Sequence, residues 1–177
     1  TLGDVRAKEM AAAQKIIGIK HHHWLEFRDG MCEQASEKEA VAKLKKLIER
    51  YQPDSILTFG PDGLTGHTDH ATVSIWVTKA NQYLDPKPKV YHAVNTPEQY
   101  ECIKPADEKL NIYFNIDKPP IVSRSKCDIC FDLSSAQRTV KRKALAAMPS
   151  QTEVLLKLFD QKFLDESFAS ESYISAK

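Results

Sequence analysis

The sequence predicts an α/β domain of three layers, in which helices cover both faces of a mostly parallel sheet. Helix-type and strand-type segments alternate through the first half of the chain, a pattern typical of parallel strands joined by helical crossovers. One short apolar run, Ser55–Phe59, passes into a glycine-rich loop and then into a helical pattern. A chain of 177 residues is long enough to bury one sizeable core, so we expect residues 1–177 to form a single domain.

The helices are predicted from apolar residues at helical spacing and from the signals at their ends. Asp4 begins the first helix and Gly18 ends it, while Ser36 and Glu39 form a capping box that opens the second. Thr96 followed by a proline opens a short helix that we expect to fail by Pro105. The other predicted helices span residues 69–83, 135–148 and 152–163.

Strands are predicted where β-branched and aromatic residues cluster between turn signals. The predicted strands span residues 21–27, 55–59, 89–94, 111–116 and 126–131. The last residues, through Lys177, are polar, and we expect them to fray.

The composition excludes several classes of protein. Hydrophobic residues make up 42% and charged residues 28%, which is typical of a soluble globular chain. The net charge of +1 lacks the basic excess of a nucleic-acid-binding protein, and no apolar stretch approaches the ~20 residues that span a bilayer. The four cysteines do not form an evenly spaced disulfide framework, which predicts a reducing compartment and a cytoplasmic location.

The segment Gly60–His70, GPDGLTGHTDH, concentrates metal-ligating and acid–base side chains directly after a predicted strand. His67 and His70 are three residues apart, so on a helix both rings face the same side. Asp69 between them is able to accept a ring N–H and orient a histidine, and the glycines permit sharp turns. A flexible loop with a helix cap and two surface histidines accounts for the same composition.

Four quoted stretches resemble the LmbE-like, or PIG-L, family of zinc-dependent N-deacetylases. The stretch PDSILTFGPDGLTGHTDHATVSIWV is similar to the family's strand, glycine-rich loop and Gly-His-x-Asp-His element. TLGDVRAKEMAAAQKIIGI resembles its Thr-x-Gly-Glu-x-Arg helix, with Asp4 in place of the usual Glu. WLEFRDG and KRKALAAMPSQ are similar to a strand ending in an Asp-Gly turn and to a late helix, although Met148 stands where the family often has histidine.

The resemblance implies a Rossmann-like fold and the hydrolysis of an N-acetyl group on an amino sugar by zinc-activated water. It implies that His70 is a metal ligand, that His67 polarises the substrate carbonyl, and that Asp69 orients His67. Arg6 and Asp29 match positions that the family places near the substrate. The implied cofactor is Zn²⁺ or another divalent metal. The implied partner is a small N-acetylated sugar or glycoconjugate, and a homo-oligomer is left open.

One part of the family pattern is missing from this sequence. The Ala-His-Pro-Asp-Asp element, which in the family supplies two further metal ligands and the general base, does not occur. It belongs to an N-terminal βαβ unit, and we expect the natural protein to carry that unit ahead of Thr1. We also expect the 177-residue chain alone to bind zinc weakly and to be inactive. The alternative is a non-catalytic, carbohydrate- or metabolite-binding relative that has lost the metal site.

Three other motifs have both functional and structural explanations. Cys127 and Cys130 form a C-x-x-C, which fits half a zinc site or a redox pair, but in a strand such residues point to opposite faces and favour buried, inert thiols. The run His21–His23 lacks an acidic partner and is more typical of a strand edge than of a metal site. The basic run Arg138–Lys143 is the usual composition of a solvated helix face, although it could attract phosphate.

Overall fold

The chain folds around a four-stranded mixed sheet, as described by a computed structural model of residues 1–176. The strands are β1 (Ser55–Phe59), β2 (Lys89–Val94), β3 (Ile129–Asp132) and β4 (Ser170–Ser175). The helices are α1 (Leu2–Ile17), α2 (Glu37–Tyr51), α3 (Gly63–Gly66), α4 (Thr68–Gln82), α5 (Pro97–Leu110), α6 (Ser135–Ala146), α7 (Pro149–Leu158) and α8 (Gln161–Ser167). The predicted α/β, Rossmann-like class is confirmed.

The sheet is mixed, whereas the alternating pattern predicted a mostly parallel one. The strand order is β1-β2-β4-β3, and only β1 and β2 are parallel, with Phe59 opposite Ala93 at their carboxyl ends. β4 lies between β2 and β3 and runs antiparallel to both. The mixed topology arises because the polar C-terminal segment, which we expected to fray, supplies an internal strand.

Two of the predicted strands are absent from the part of the chain that the structure describes. Residues 21–27 have no regular structure, and their aromatic rings pack instead on Tyr51 and Trp76. Residues 111–116 form turns around Tyr113, whose side chain is buried and accepts a hydrogen bond from Asn95. Aromatic content indicated strands in both places, but only Phe27 and Tyr113 pack inward, whereas Trp24 and Phe114 are exposed.

Two helix boundaries also differ from the prediction. α5 continues through Pro105 to Leu110, because its start is held by a complete capping box between Thr96 and Gln99 and because Ala106 is fully buried. The predicted helix 152–163 is two helices, since the chain leaves helical geometry at Phe159 and α8 is capped anew by Asp160.

The helices pack in two groups that together enclose the core. α2 packs on α4, and α4 contacts β1, while α1 packs on α6 and α7, and α8 contacts both α5 and α6. Buried apolar side chains come from most of the helices and from β2, and α4 contributes Trp76, Val77 and Ala80. α4 is therefore anchored firmly behind the carboxyl end of β1. None of the helices in residues 1–176 has the length and apolar character needed to cross a bilayer.

β4 is polar because its side chains make specific bonds at the sheet surface. Glu171 accepts a 2.6 Å bond from the Lys141 ammonium and a 3.1 Å bond from the Tyr173 hydroxyl. Burial acts to raise the pKa of Glu171, but the bonds from Lys141 and Tyr173 outweigh it and leave that pKa below its usual value. Burial and the neighbouring Glu171 charge raise the pKa of Tyr173 to about 12.

We predict that Glu171→Gln lowers the free energy of unfolding by about 0.5–1 kcal/mol at pH 7, the range of a half-exposed ion pair. Because folding lowers the pKa of Glu171, its contribution is complete above the unfolded-state pKa and is lost as the pH falls through the folded-state pKa. The difference between the two proteins should therefore shrink below about pH 4.5.

Urea unfolding at several pH values measures this difference. The matched control is Glu166→Gln, since Glu166 forms only a 3.9 Å pair with Lys162. A deficit in Glu171→Gln that stays constant down to pH 3 would contradict the role given to the ion pair.

Candidate functional site

The segment between β1 and α4 makes two tight turns that bring its histidines back over the end of β1. Asp62 caps the one-turn helix α3 by accepting a 2.6 Å bond from the Leu64 amide. Leu64 itself has φ 63°, a conformation that is strained for a leucine. Gly66 has φ 76°, and a Cβ there would lie 2.8 Å from the carbonyl carbon and oxygen of Asn115. Only glycine fits at residue 66, directly before His67.

His67 is the N-cap of α4, and this position fixes its tautomer. Its Nδ1 accepts a 3.2 Å hydrogen bond from the Asp69 amide. An accepting Nδ1 carries no proton, so the ring proton of the neutral histidine lies on Nε2. His67 therefore presents an N–H donor on the side of the ring that faces away from the helix.

His70 is held between two rings at the carboxyl end of β1. Its ring stacks on Phe59 at 3.9 Å between centroids with parallel planes, and His67 stacks on it at 4.8 Å. Its Nδ1 bonds to the Gly63 carbonyl at 3.1 Å, so Nδ1 carries the proton and Nε2 has a free lone pair. Burial lowers the pKa of His70, which favours this neutral form. A ring N–H given to a carbonyl is the usual support of a metal-ligating histidine.

The Asp69 carboxylate is buried and bonds to the main chain of a distant loop. One oxygen accepts a 2.6 Å bond from the Gly30 amide and the other a 2.9 Å bond from the Cys32 amide. Burial acts to raise the pKa of Asp69, but these two amide bonds and the nearby His67 outweigh it and lower the pKa. We expected the Asp69 carboxylate to orient His67; in the structure the Asp69 main-chain amide does so, and the carboxylate holds the loop.

Arg6 and Asp29, the residues predicted to lie near the substrate, bond to each other. The Arg6 Nη1 donates a 2.9 Å bond to the Asp29 carboxylate. The Arg6 Nε is buried and has no hydrogen-bond partner within residues 1–176. Asp29 directly precedes Gly30, so the loop that Asp69 holds also carries the partner of Arg6. The charge of Asp29 also acts to raise the pKa of His70, against the larger effect of burial.

The structure thus brings the five predicted residues into one region at the carboxyl end of β1, where α/β sheets commonly bind ligands. Sequence reasoning missed the parts that are main chain, namely the amides of Gly30 and Cys32, because an amide donor leaves no side-chain signal. It also missed the stacking surface of Phe59. Burial and the Asp69 charge raise the pKa of the Cys32 thiol to about 11, which disfavours its thiolate form.

The residues described offer one well-prepared metal ligand rather than a full set. No group of three or more His, Cys, Asp or Glu side chains in residues 1–176 is arranged to hold an ion. Catalytic zinc sites use three protein ligands. His70 fits the chemistry of one ligand, so a complete zinc site needs two more that this part of the chain does not supply.

Comparison with known proteins agrees with the geometry. Residues 1–81, which contain all five site residues, match the PIG-L family model, described as GlcNAc-PI de-N-acetylase. These residues, rather less than half of the chain, are therefore similar to the PIG-L family. The late stretch KRKALAAMPSQ lies beyond the matched residues, so its resemblance to the family stays a prediction.

Similar curated proteins are bacterial enzymes named 1D-myo-inositol 2-acetamido-2-deoxy-alpha-D-glucopyranoside deacetylase. The relative from Streptomyces scabiei is 33% identical, over 40% of this chain and 27% of its own length. The relative from Thermobispora bispora is 35% identical, over 40% of this chain and 28% of its own length. A shorter match to the Corynebacterium diphtheriae enzyme reaches 44% identity, over 20% of this chain and 12% of that enzyme. In each case the match covers less than a third of the relative.

We predict that Gly66→Ala destabilises the fold by about 2–4 kcal/mol, since the added methyl group meets the Asn115 main chain at a positive φ. Thermal unfolding measures the change. Gly18→Ala is the matched control, because Gly18 also has a positive φ but nothing lies within 4 Å of the added Cβ. Equal losses from the two variants would mean that backbone strain alone, and not the contact with Asn115, fixes Gly66.

We predict that Asp69→Asn costs about 2 kcal/mol of stability, because an amide side chain has one acceptor oxygen for two main-chain donors. The amide protons of Gly30 and Cys32 should then exchange faster with solvent, which hydrogen exchange followed by NMR resolves. Asp117→Asn, at an exposed carboxylate, is the control. Unchanged protection of the Gly30 and Cys32 amides from exchange would contradict the role given to the Asp69 carboxylate.

Proposed function

We propose that this chain is part of a zinc-dependent N-deacetylase that removes an acetyl group from an N-acetylglucosamine-type substrate. The observation that carries the proposal is the pair of imidazoles at the end of β1, each with its Nδ1 held by the main chain and its Nε2 left open. The names of the PIG-L relatives support the reaction and the class of substrate. We further propose that residues 1–177 belong to one deacetylase domain.

In this proposal the two histidines have different roles because they present different atoms. His70 offers an unprotonated Nε2, the form in which imidazole binds a metal ion. Zinc, when bound, supplies Lewis-acid activation of water for attack on the amide. His67 offers an Nε2–H, the form that donates to a carbonyl oxygen as negative charge develops on it.

Arg6 and Asp29 serve substrate binding in the same proposal. An N-acetylated sugar presents hydroxyl groups that donate and accept hydrogen bonds. The exposed Asp29 carboxylate is able to accept from such a hydroxyl, and Arg6 holds that carboxylate in place through its Nη1. Asp69 contributes by holding the loop that carries Asp29, so its effect on substrate binding is indirect.

We predict that His70→Ala abolishes zinc binding in the full-length protein, whereas His67→Ala and His67→Asn retain zinc and lower kcat by about 10²–10³ with little change in KM. His67→Asn is included because asparagine restores the helix cap, so any loss that it shares with alanine belongs to the imidazole. Elemental analysis measures zinc, and acetate release from an N-acetylglucosaminyl-inositol measures activity.

The control for both positions is His22→Ala, since His22 is exposed and contacts only Trp24 among the aromatic rings. Zinc loss in His67→Ala with zinc retained in His70→Ala would invert the two roles. Sugar binding by the full-length protein without zinc and without acetate release would favour the alternative, a carbohydrate- or metabolite-binding relative.

A further inference from the structure

The C-x-x-C motif lies at the edge of the sheet, far along the chain from the histidines. A short 3₁₀ turn, Arg124–Lys126, leads into Cys127, and the chain bends at Asp128 before β3 begins. In a continuous strand, residues three apart would point to opposite faces. The bend removes that constraint, so the expectation that the two thiols point apart is wrong.

The two thiols bond to consecutive main-chain carbonyls and lie within hydrogen-bonding reach of each other. The Cys127 Sγ donates to the Ser123 carbonyl and the Cys130 Sγ to the Arg124 carbonyl, each at 3.7 Å. The Ser172 hydroxyl on β4 donates to the Cys130 Sγ at 3.8 Å. Burial, followed by the hydrogen bond with Cys130, raises the pKa of the Cys127 thiol.

The main chain around this cysteine pair is held by an ion pair across the motif and by hydrogen bonds to β4. The Arg124 guanidinium binds the Asp132 carboxylate through two bonds of 3.0 and 2.6 Å, which spans the motif. The Asp128 amide donates to the Tyr173 carbonyl at 2.9 Å, and the Asp128 carboxylate accepts from the Ser175 amide at 2.7 Å. Both cysteines are part-exposed, so the fixed pair is also reachable by small molecules.

We propose that Cys127 and Cys130 are a redox-active dithiol that closes to an intramolecular disulfide by exchange with a low-molecular-weight disulfide. One thiolate attacks a sulfur of the small disulfide and releases one small thiol, leaving a mixed disulfide. The second thiolate attacks the protein sulfur of that bond and releases the other small thiol. The cysteines lose two electrons and two protons, and the small disulfide gains them to become two thiols.

The fold favours the second step, since it holds the resolving thiol against the first instead of leaving it to find its partner by diffusion. The other two cysteines lack such a neighbour. Cys32 contacts the Asp69 carboxylate, and Cys102 is exposed on α5, so neither is placed to complete a disulfide within the described residues. Exchange at Cys102 should stop at the mixed disulfide.

The test is incubation of the chain with graded ratios of oxidised to reduced glutathione, followed by acid quenching and alkylation. Trypsin releases Cys127–Arg138 as one peptide that contains both cysteines of the pair and neither of the others. We expect this peptide to lose 2 Da and to resist alkylation at ratios about tenfold lower in the native protein than in 6 M urea.

Matched variants distinguish disulfide formation by this pair from the reaction of single thiols with glutathione. Cys102→Ser should leave the 2 Da loss unchanged, whereas Cys127→Ser and Cys130→Ser should each give only the glutathione adduct on the remaining thiol. The proposal is overturned if the native peptide closes no more readily than in urea, or if it stays fully alkylatable. It is also overturned if the wild-type peptide carries the glutathione adduct instead of losing 2 Da. None of these outcomes depends on deacetylase activity.

Discussion

The buried carboxylate of Asp69 joins the parts of the chain that form the candidate site. It sits in the first turn of α4, where a negative charge is favoured by the helix dipole, and it receives two amide N–H groups from a loop some forty residues earlier. That loop has no regular structure of its own from residue 21 to Met31. The carboxylate fixes Gly30 at the start of α4, and Gly30 follows Asp29, the partner of Arg6, while Phe27 packs farther along α4 on Trp76.

The location of the site was predictable because it depends on local patterns. The apolar run of β1, the glycines and the histidine spacing together place a polar loop at the carboxyl end of a strand. The detailed geometry of the site depends on main-chain contacts, which cannot be predicted from residue types. Gly30 and Cys32 donate through their amides, and Asn115 limits Gly66 through its carbonyl. For this reason Asp69 was assigned a catalytic orienting role, while its carboxylate performs a structural one.

The errors in the fold prediction share a similar cause. β4 has the composition of a polar tail. Its residues nevertheless lie in the sheet, because Ser172 is small and Glu171 has a cation partner, so neither needs to be apolar. Residues 21–27 and 111–116 have the composition of strands because aromatic residues are common in strands, yet Phe27 and Tyr113 pack on α4 and α5 instead. Contacts with residues distant in the chain determine the conformation of these segments. A single sequence does not show which distant residues come into contact.

The N-cap bond of His67 limits how that imidazole is able to handle protons. A second proton could be added only at Nδ1, and there it would displace the Asp69 amide that begins α4. A rotation of the ring by 180° would break the same bond. The ring therefore contacts a ligand through a single nitrogen, Nε2, which donates a hydrogen bond. The beginning of a helix thus makes this histidine a fixed hydrogen-bond donor and not a carrier of protons.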